Sequence, residues 1–176
     1  MNKKLMMAML AAGSVLTMTN ALAAAGTVNF NGNILDSACD VDVASQNQVV
    51  VLGDYYKTEF PTTGARTAAT QFNIILKNCP VTVTNAKVRF DGTPDLTNAS
   101  LLAIDTSVAG AATGVAINLM TADKADLPLH GSNSYTYALS STADNTLSFY
   151  AQYISTAASV TAGPANSVAN FSVVYN

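Results

Sequence analysis

An all-β sandwich is the fold this sequence predicts, and three observations predict it. Short apolar runs alternate with a period of two along most of the chain. Gly, Asn, Asp, Ser, Thr and Pro separate those runs at short intervals. No linker and no internal repeat divides the chain into parts.

The first element is not part of that fold. Residues 1–23, MNKKLMMAMLAAGSVLTMTNALA, hold two lysines, an apolar core and then Ala21-Leu22-Ala23. This is the layout of a secretory signal peptide with a small-x-small cleavage site. A transmembrane helix is the competing reading, but the apolar stretch is short and Gly13, Ser14, Thr17, Thr19 and Asn20 interrupt it. Cleavage after Ala23 is preferred to cleavage after Ala25. It removes 23 of the 176 residues and leaves 153, the size of one domain.

The next segment, Gly26 to Leu35, reads GTVNFNGNIL. As a strand it sets Val28, Phe30, Gly32 and Ile34 on one face and three asparagines on the other. The third member of the apolar row is a glycine, which packs nothing and costs backbone entropy. On residue pattern alone, the segment is either a bulged first strand of the sandwich or a strand offered to something else.

Further strands follow in order. QVVVLGD is a short apolar run ending in a turn. TQFNIILKNCP alternates Phe72, Ile74 and Leu76 before Pro80, and NAKVRFDGTP carries Val88 and Phe90 into a DG turn. TNASLLAID, 97–105, is expected to be a short helical turn. GVAINLMTAD alternates Val115, Ile117 and Leu119. NTLSFYAQYIST alternates Leu147, Phe149, Ala151 and Tyr153. NSVANFSVVYN ends the chain with Ala169, Phe171, Val173 and Tyr175. Chain ends fray unless tied down, so a strand alternating to its last residues needs something to hold it.

Composition excludes several functions. Eight Lys and Arg stand against eleven Asp and Glu, and Lys3 and Lys4 leave with the signal. The remaining acidic, sparsely charged chain lacks a basic run, so nucleic acid and anionic membranes are not expected partners. Cys39 and Cys79 are the only cysteines. In an exported chain an even count suggests one disulfide. Its loop of about 40 residues would be worth about 4 kcal/mol in the chain-entropy model, whose mechanism is disputed. Metal or redox chemistry is the rival reading, but there is no CxxC and His130 is the sole histidine.

No catalytic constellation stands out. One histidine among scattered serines defines no geometry. Asp40 with Asp42, and Asp123 with Asp126, read as solvated acidic pairs rather than catalytic ones. For calcium, a ligand ladder is lacking. The glycosylation triplets at Asn98 and Asn170 are discounted, the second because it falls within a strand. Tyr55 and Tyr56 read as packing residues before a binding patch. No enzyme activity, cofactor or metal is expected.

Taken in order, GTVNFNGNILDSAC, VVVLGDYY, FNIILKNCP, VRFDGTPD, LLAID, NTLSFYAQYISTAASVTAGPAN and FSVVYN resemble the pilin subunits of type 1-like fimbriae, assembled by the chaperone–usher route in Gram-negative bacteria. The likeness spans essentially the whole mature chain. Gly163 and Tyr175 match a C-terminal signature of a glycine fourteen residues from the end and a penultimate aromatic. Cys39 and Cys79 match the family disulfide. The resemblance implies an incomplete immunoglobulin-like Greek-key sandwich lacking its seventh strand, with a groove between its first and last strands.

It further implies that a periplasmic pilus chaperone fills the groove first. At the outer-membrane usher, the arm of a neighbouring pilin subunit then replaces the chaperone strand; chaperone–pilin donor-strand complementation is a known case of β-augmentation. The domains are then a signal peptide at 1–23, a donor-strand arm at 24–38 and a pilin domain at 39–176. Val28, Phe30, Gly32 and Ile34 correspond to the donor strand, and Gly163, Phe171, Val173 and Tyr175 to the chaperone and acceptor strand. The product would be exported through the periplasm to a cell-surface fimbrium that supports adhesion to a host surface. The short arm resembles minor adaptor subunits of the tip, but some major pilins of related fimbriae also have short arms, so adaptor and rod subunit both stay open. A single-domain adhesin binding a host glycan is the alternative function.

Overall fold

The computed structural model describes residues 26–32, 34, 38–131 and 135–175. The expected signal peptide and both candidate cleavage sites lie outside them. Two compact units divide the chain at Ile34 and Leu35. In the first, residues 26–32 belong to no strand. Residues 33 and 35 of the segment Gly26–Leu35 lie outside the described residues, so the reading of that segment as a bulged first strand of the domain finds no support in residues 26–32 and 34. The described part of the sandwich starts its strands at Asp40.

The second unit is the sandwich. Its strands are β1 (Asp40–Val41), β2 (Thr70–Lys77), β3 (Asn85–Gly92), β4 (Leu102–Ala103), β5 (Val115–Met120), β6 (Tyr137–Ala138), β7 (Asn145–Ser155) and β8 (Ala169–Tyr175). One sheet runs β1-β2-β7-β5-β4 and the other β6-β3-β8. All the pairings are antiparallel. The helical content is small: one turn, α1 (Val43–Gln46), capped by the Asp42 carboxylate accepting from the Ala44 amide at 2.9 Å, and a 3-10 turn at Lys57–Glu59.

Period-two alternation builds the core. Along β2 and β7 the register sets Phe72 opposite Phe149 and Ile74 opposite Leu147, all on the inner face. Phe72 stacks on Phe149 at 5.6 Å between ring centres, and Phe90 of β3 meets Phe149 edge-on at 5.3 Å across the two sheets. Such pairs add about 0.5–1.5 kcal/mol beyond burial. The Cys39–Cys79 disulfide is formed and joins the residue before β1 to the turn after β2.

Two sequence expectations fail locally. The stretch 97–105 is not a helical turn; Asp95 and Asn98 side chains cap its bends, and it closes into β4 against β5. Asx bends of this kind offer the backbone an alternative to helix. The run Gln48–Asp54, expected as a strand, is assigned to none.

Candidate functional site

A groove of about 410 Å³ opens along one side of the sandwich. Its floor is the core itself: Phe72 and Ile74 of β2, Phe90 of β3, Ile117 and Leu119 of β5, and Ala151 of β7. One wall is β8, through Ala169, Asn170 and Phe171. The other is the run after α1, through Val50 and Leu52, with Ser45 to Gln48 also in the lining. None of these lining residues carries a charge.

Both walls have unused backbone. β8 pairs with β3 from Ala169 to Tyr175, but it is the last strand of its sheet, and among the described residues its other edge meets no strand. Among the described residues Gln48–Asp54 belongs to no ladder or isolated bridge and takes part in no backbone–backbone hydrogen bond.

The side chains tell the same story. Along β8 the inner row Ala169, Phe171, Val173 and Tyr175 is only half-buried, although it belongs to the core cluster. Opposite it, Val50 and Leu52 are half-buried while Val49 and Val51 are exposed. The run Gln48–Asp54 thus has the side-chain pattern of a strand without the ladder. This correction sharpens the sequence reading: the wall facing β8 is not β1 but the run after α1.

The expected acceptor residues separate into different places. Phe171 lines the groove, with its ring 6.4 Å from Phe90. Val173 and Tyr175 continue the same face of β8 beyond the groove lining. The Tyr175 hydroxyl donates to the Cys39 carbonyl at 3.4 Å, and burial pushes its phenol above the usual range.

Gly163 lies outside the groove. There the chain leading to β8 runs against residues 110–113. The Ala112 amide donates to the Pro164 carbonyl at 2.9 Å, and a Cβ on Gly163 would collide with the Gly110 carbonyl and sit 2.8 Å from the Ala112 nitrogen. Glycine is required by that close backbone approach, which orients the entry to β8.

Val28, Phe30 and Ile34 are exposed, Phe30 to 92%, and nothing lies within 4 Å of where a Cβ on Gly32 would stand. The structure therefore does not contain the crowding that would explain a glycine at that position.

The acidic residues are accounted for by ordinary contacts. Arg66 clasps Asp126 through two bonds of 2.8 and 2.9 Å, and Asn118 donates to the same carboxylate at 2.7 Å. The guanidinium, aided by Asn118, holds the Asp126 carboxyl below its usual range. Asp123 accepts from the Thr121 hydroxyl, which likewise lowers it. His130 sits between Asp91 and the Gly92 carbonyl at the end of β3, 2.8 Å from each. Among the described residues no cluster of three or more His, Cys, Asp or Glu is arranged to hold a metal, and none of them is long and apolar enough as a helix to cross a membrane.

An apolar groove with open backbone on both sides suits a β-strand as occupant, and comparison with known proteins gives this architecture its context. Residues 28–176 match the protein family described as "Fimbrial protein". The S-fimbrial protein subunit of Escherichia coli O6:K15:H31 is 37% identical over 164 residues, covering 93% of this chain and 91% of that one. A solved type I fimbria protein of Burkholderia pseudomallei is 36% identical, with a TM-score of 0.60, over 80% of this chain and 91% of that one. A subunit from a solved chaperone–usher pilus is 26% identical, with a TM-score of 0.66, over 92% of this chain and all of that one. The chain belongs to the fimbrial protein family: it is a structural, non-enzymatic pilin of the chaperone–usher class, associating with other pilin subunits in a cell-surface fimbrium.

Proposed function

We propose that the groove between Gln48–Asp54 and β8 accepts an extended strand from outside the domain, and that this chain in turn supplies such a strand from its own arm, 24–38. The observation that carries the reading is the pair of unpaired backbone edges flanking an uncharged apolar floor. The arm has matching chemistry. Val28 to Ile34 carries no charge, alternates with a period of two and leaves its apolar side chains exposed. Burying three such side chains supplies roughly 5–9 kcal/mol, besides two ladders of backbone bonds.

In this reading the signal peptide, 1–23, is removed on export to the periplasm. A periplasmic chaperone lends a strand to the groove, and at the outer-membrane usher the arm of the next subunit replaces it. Phe171, Val173 and Tyr175 form the inner row of the acceptor strand, Gly163 sets the approach to it, and Val28, Phe30 and Ile34 are the knobs. Gly32 is bare because the neighbour's groove, and not the chain's own domain, leaves no room at that point.

Gly32→Val tests this. The substitution should leave folding of the mutant's own domain intact with chaperone, since nothing packs on Gly32. It should weaken docking into the next subunit by about 1–3 kcal/mol or more, the usual cost of overpacking. Chaperone-bound wild type and mutant are each mixed with an unmodified subunit, and the heat- and detergent-resistant dimer is followed on a gel. Loss of dimer with unchanged domain stability is the expected result. Wild-type dimer yield together with reduced domain stability would overturn the donor-arm reading.

A further inference from the structure

The arm carries a second chemical feature. Asn31 is followed by Gly32, the only Asn-Gly pair in the chain. Both residues are exposed and outside any strand, and the space beside Gly32 is open. We infer that Asn31 is a self-modification site: it deamidates while the arm is free, and docking of the arm silences it. The reactivity half of the inference stands on the arm alone, whereas the silencing half rests on the docking reading above.

The reaction needs water as its only co-reactant. The Gly32 main-chain nitrogen loses its proton and attacks the side-chain carbonyl carbon of Asn31. A C–N bond forms, the amide nitrogen leaves as ammonia, and a five-membered succinimide remains. Water then opens the ring. Attack at the former side-chain carbonyl gives aspartate; attack at the main-chain carbonyl gives isoaspartate. No electrons are transferred. A glycine at the next position favours ring closure because it has no Cβ to obstruct the attacking nitrogen and reaches the required backbone conformation readily.

The two products differ in consequence. Aspartate keeps the main-chain length, and its charge falls on the asparagine face of the arm, opposite Val28, Phe30 and Ile34. Isoaspartate inserts a methylene into the main chain between Phe30 and Gly32. That breaks the period-two register, so the knobs on its two sides can no longer enter one groove together. A docked strand, by contrast, is held extended with its amides in a ladder, and the attacking nitrogen is kept from the side chain. A subunit that waits undocked would thus lose competence, while assembled joints would be preserved.

The experiment compares the undocked mature chain with sheared fimbriae, both incubated at mildly alkaline pH and mapped by peptide mass spectrometry that separates aspartate from isoaspartate. Asn29, which precedes Phe30, and Asn33, which precedes Ile34, are internal references. In the undocked chain, conversion at Asn31 should exceed that at either reference by about tenfold or more, and in fimbriae it should fall by about tenfold or more, as protection by an ordered ladder requires. Gly32→Ala should slow it in the undocked chain. Docking tests on the aged chain should find isoaspartate depleted from the dimer band. Conversion at Asn31 no faster than at Asn29 would overturn the modification site. Fast conversion that continues equally in fimbriae would overturn the silencing and count against arm docking, while leaving the reactive site standing.

Discussion

β7 and β8 are written in the same pattern and live differently. NTLSFYAQYIS and ANFSVVY both alternate apolar and polar residues, and both face the core. β7 lies between β2 and β5, paired along both edges, and its inner Leu147 and Phe149 are 1% exposed. Among the described strands β8 is paired only to β3, and its inner row stays half-buried. Alternation reports which side of a strand faces the core. It does not report how many neighbours the strand has within its own chain. That difference fits the proposal that β8 accepts a strand from outside the domain, where β7 is paired on both edges by its own chain.

Truncation should widen the contrast. For these measurements the groove is filled by a copy of Val28–Ile34 joined to the C-terminus through a flexible linker, and denaturant unfolding is followed. Phe149→Ala should cost about 3–5 kcal/mol, since its ring touches Phe72, Phe90 and Tyr137. Phe171→Ala in the same background should cost less. Without the linked copy, it should chiefly reduce capture of a neighbour's arm. Equal losses from the two substitutions, with arm capture unaffected by Phe171→Ala, would erase the distinction between the strands.

The next effect concerns how the sandwich is anchored. Cys39→Ser should lower stability by about 2–4 kcal/mol and reduce exported yield, because the bridge closes a loop with 40 residues of sequence separation. Alkylation followed by mass spectrometry should find no free thiol in the wild-type protein purified from periplasm. Two free thiols there would refute the prediction.

The smallest effect should come from the rim. Asp126 is half-exposed, so its pair with Arg66 is worth well under the strength its short bonds suggest. Asp126→Asn should cost at most about 1 kcal/mol at neutral pH. The sign of its pH dependence follows from the lowered carboxyl. The contribution is present above the unfolded carboxylate range and is lost as pH falls through the still lower folded value. Wild type and Asp126→Asn should therefore converge in stability toward acid pH. A gap that widens on acidification would contradict the assignment of this pair.

Most of the sandwich was legible because its signal is local. Ile74, Leu76, Val88, Phe90, Ile117, Leu147 and Phe149 all announce their faces by spacing, and all are core. What was not legible depended on partners. Gln48–Asp54 reads as a strand, and in the structure it has a strand's side-chain pattern without a ladder. Val28–Ile34 reads as a strand, and its described residues, 28–32 and 34, belong to no strand. In both cases the alternation is in the sequence, but a strand also needs a partner ladder, and the described residues of this chain supply none to either run. Residues 97–105 failed for a different reason: Asp95 and Asn98 bend the chain through side-chain bonds that compete with helix. The strand-like alternation of Val50 and Leu52 could be read from the sequence. The close approach of Gly163 to residues 110–112 could not, because it depends on two segments far apart in the chain.

The disulfide has a mechanical consequence once the arm is read as the connection to a neighbour. Tension on a fibre would enter this domain at Cys39. From there β1 offers only two residues of ladder, Asp40 with Lys77 and Val41 with Leu76, and a ladder loaded from its end opens one pair at a time. The covalent bridge to Cys79 bypasses that weak zipper and hands the load directly to the end of β2, whose seven registered pairs with β7 run through the middle of the sandwich. The Tyr175 hydroxyl on the Cys39 carbonyl brings the tail of β8 to the same point. On that reading the place where the domain would be pulled is also the place where its strands are tied, and a subunit lacking the bridge would begin to peel from its first strand under load.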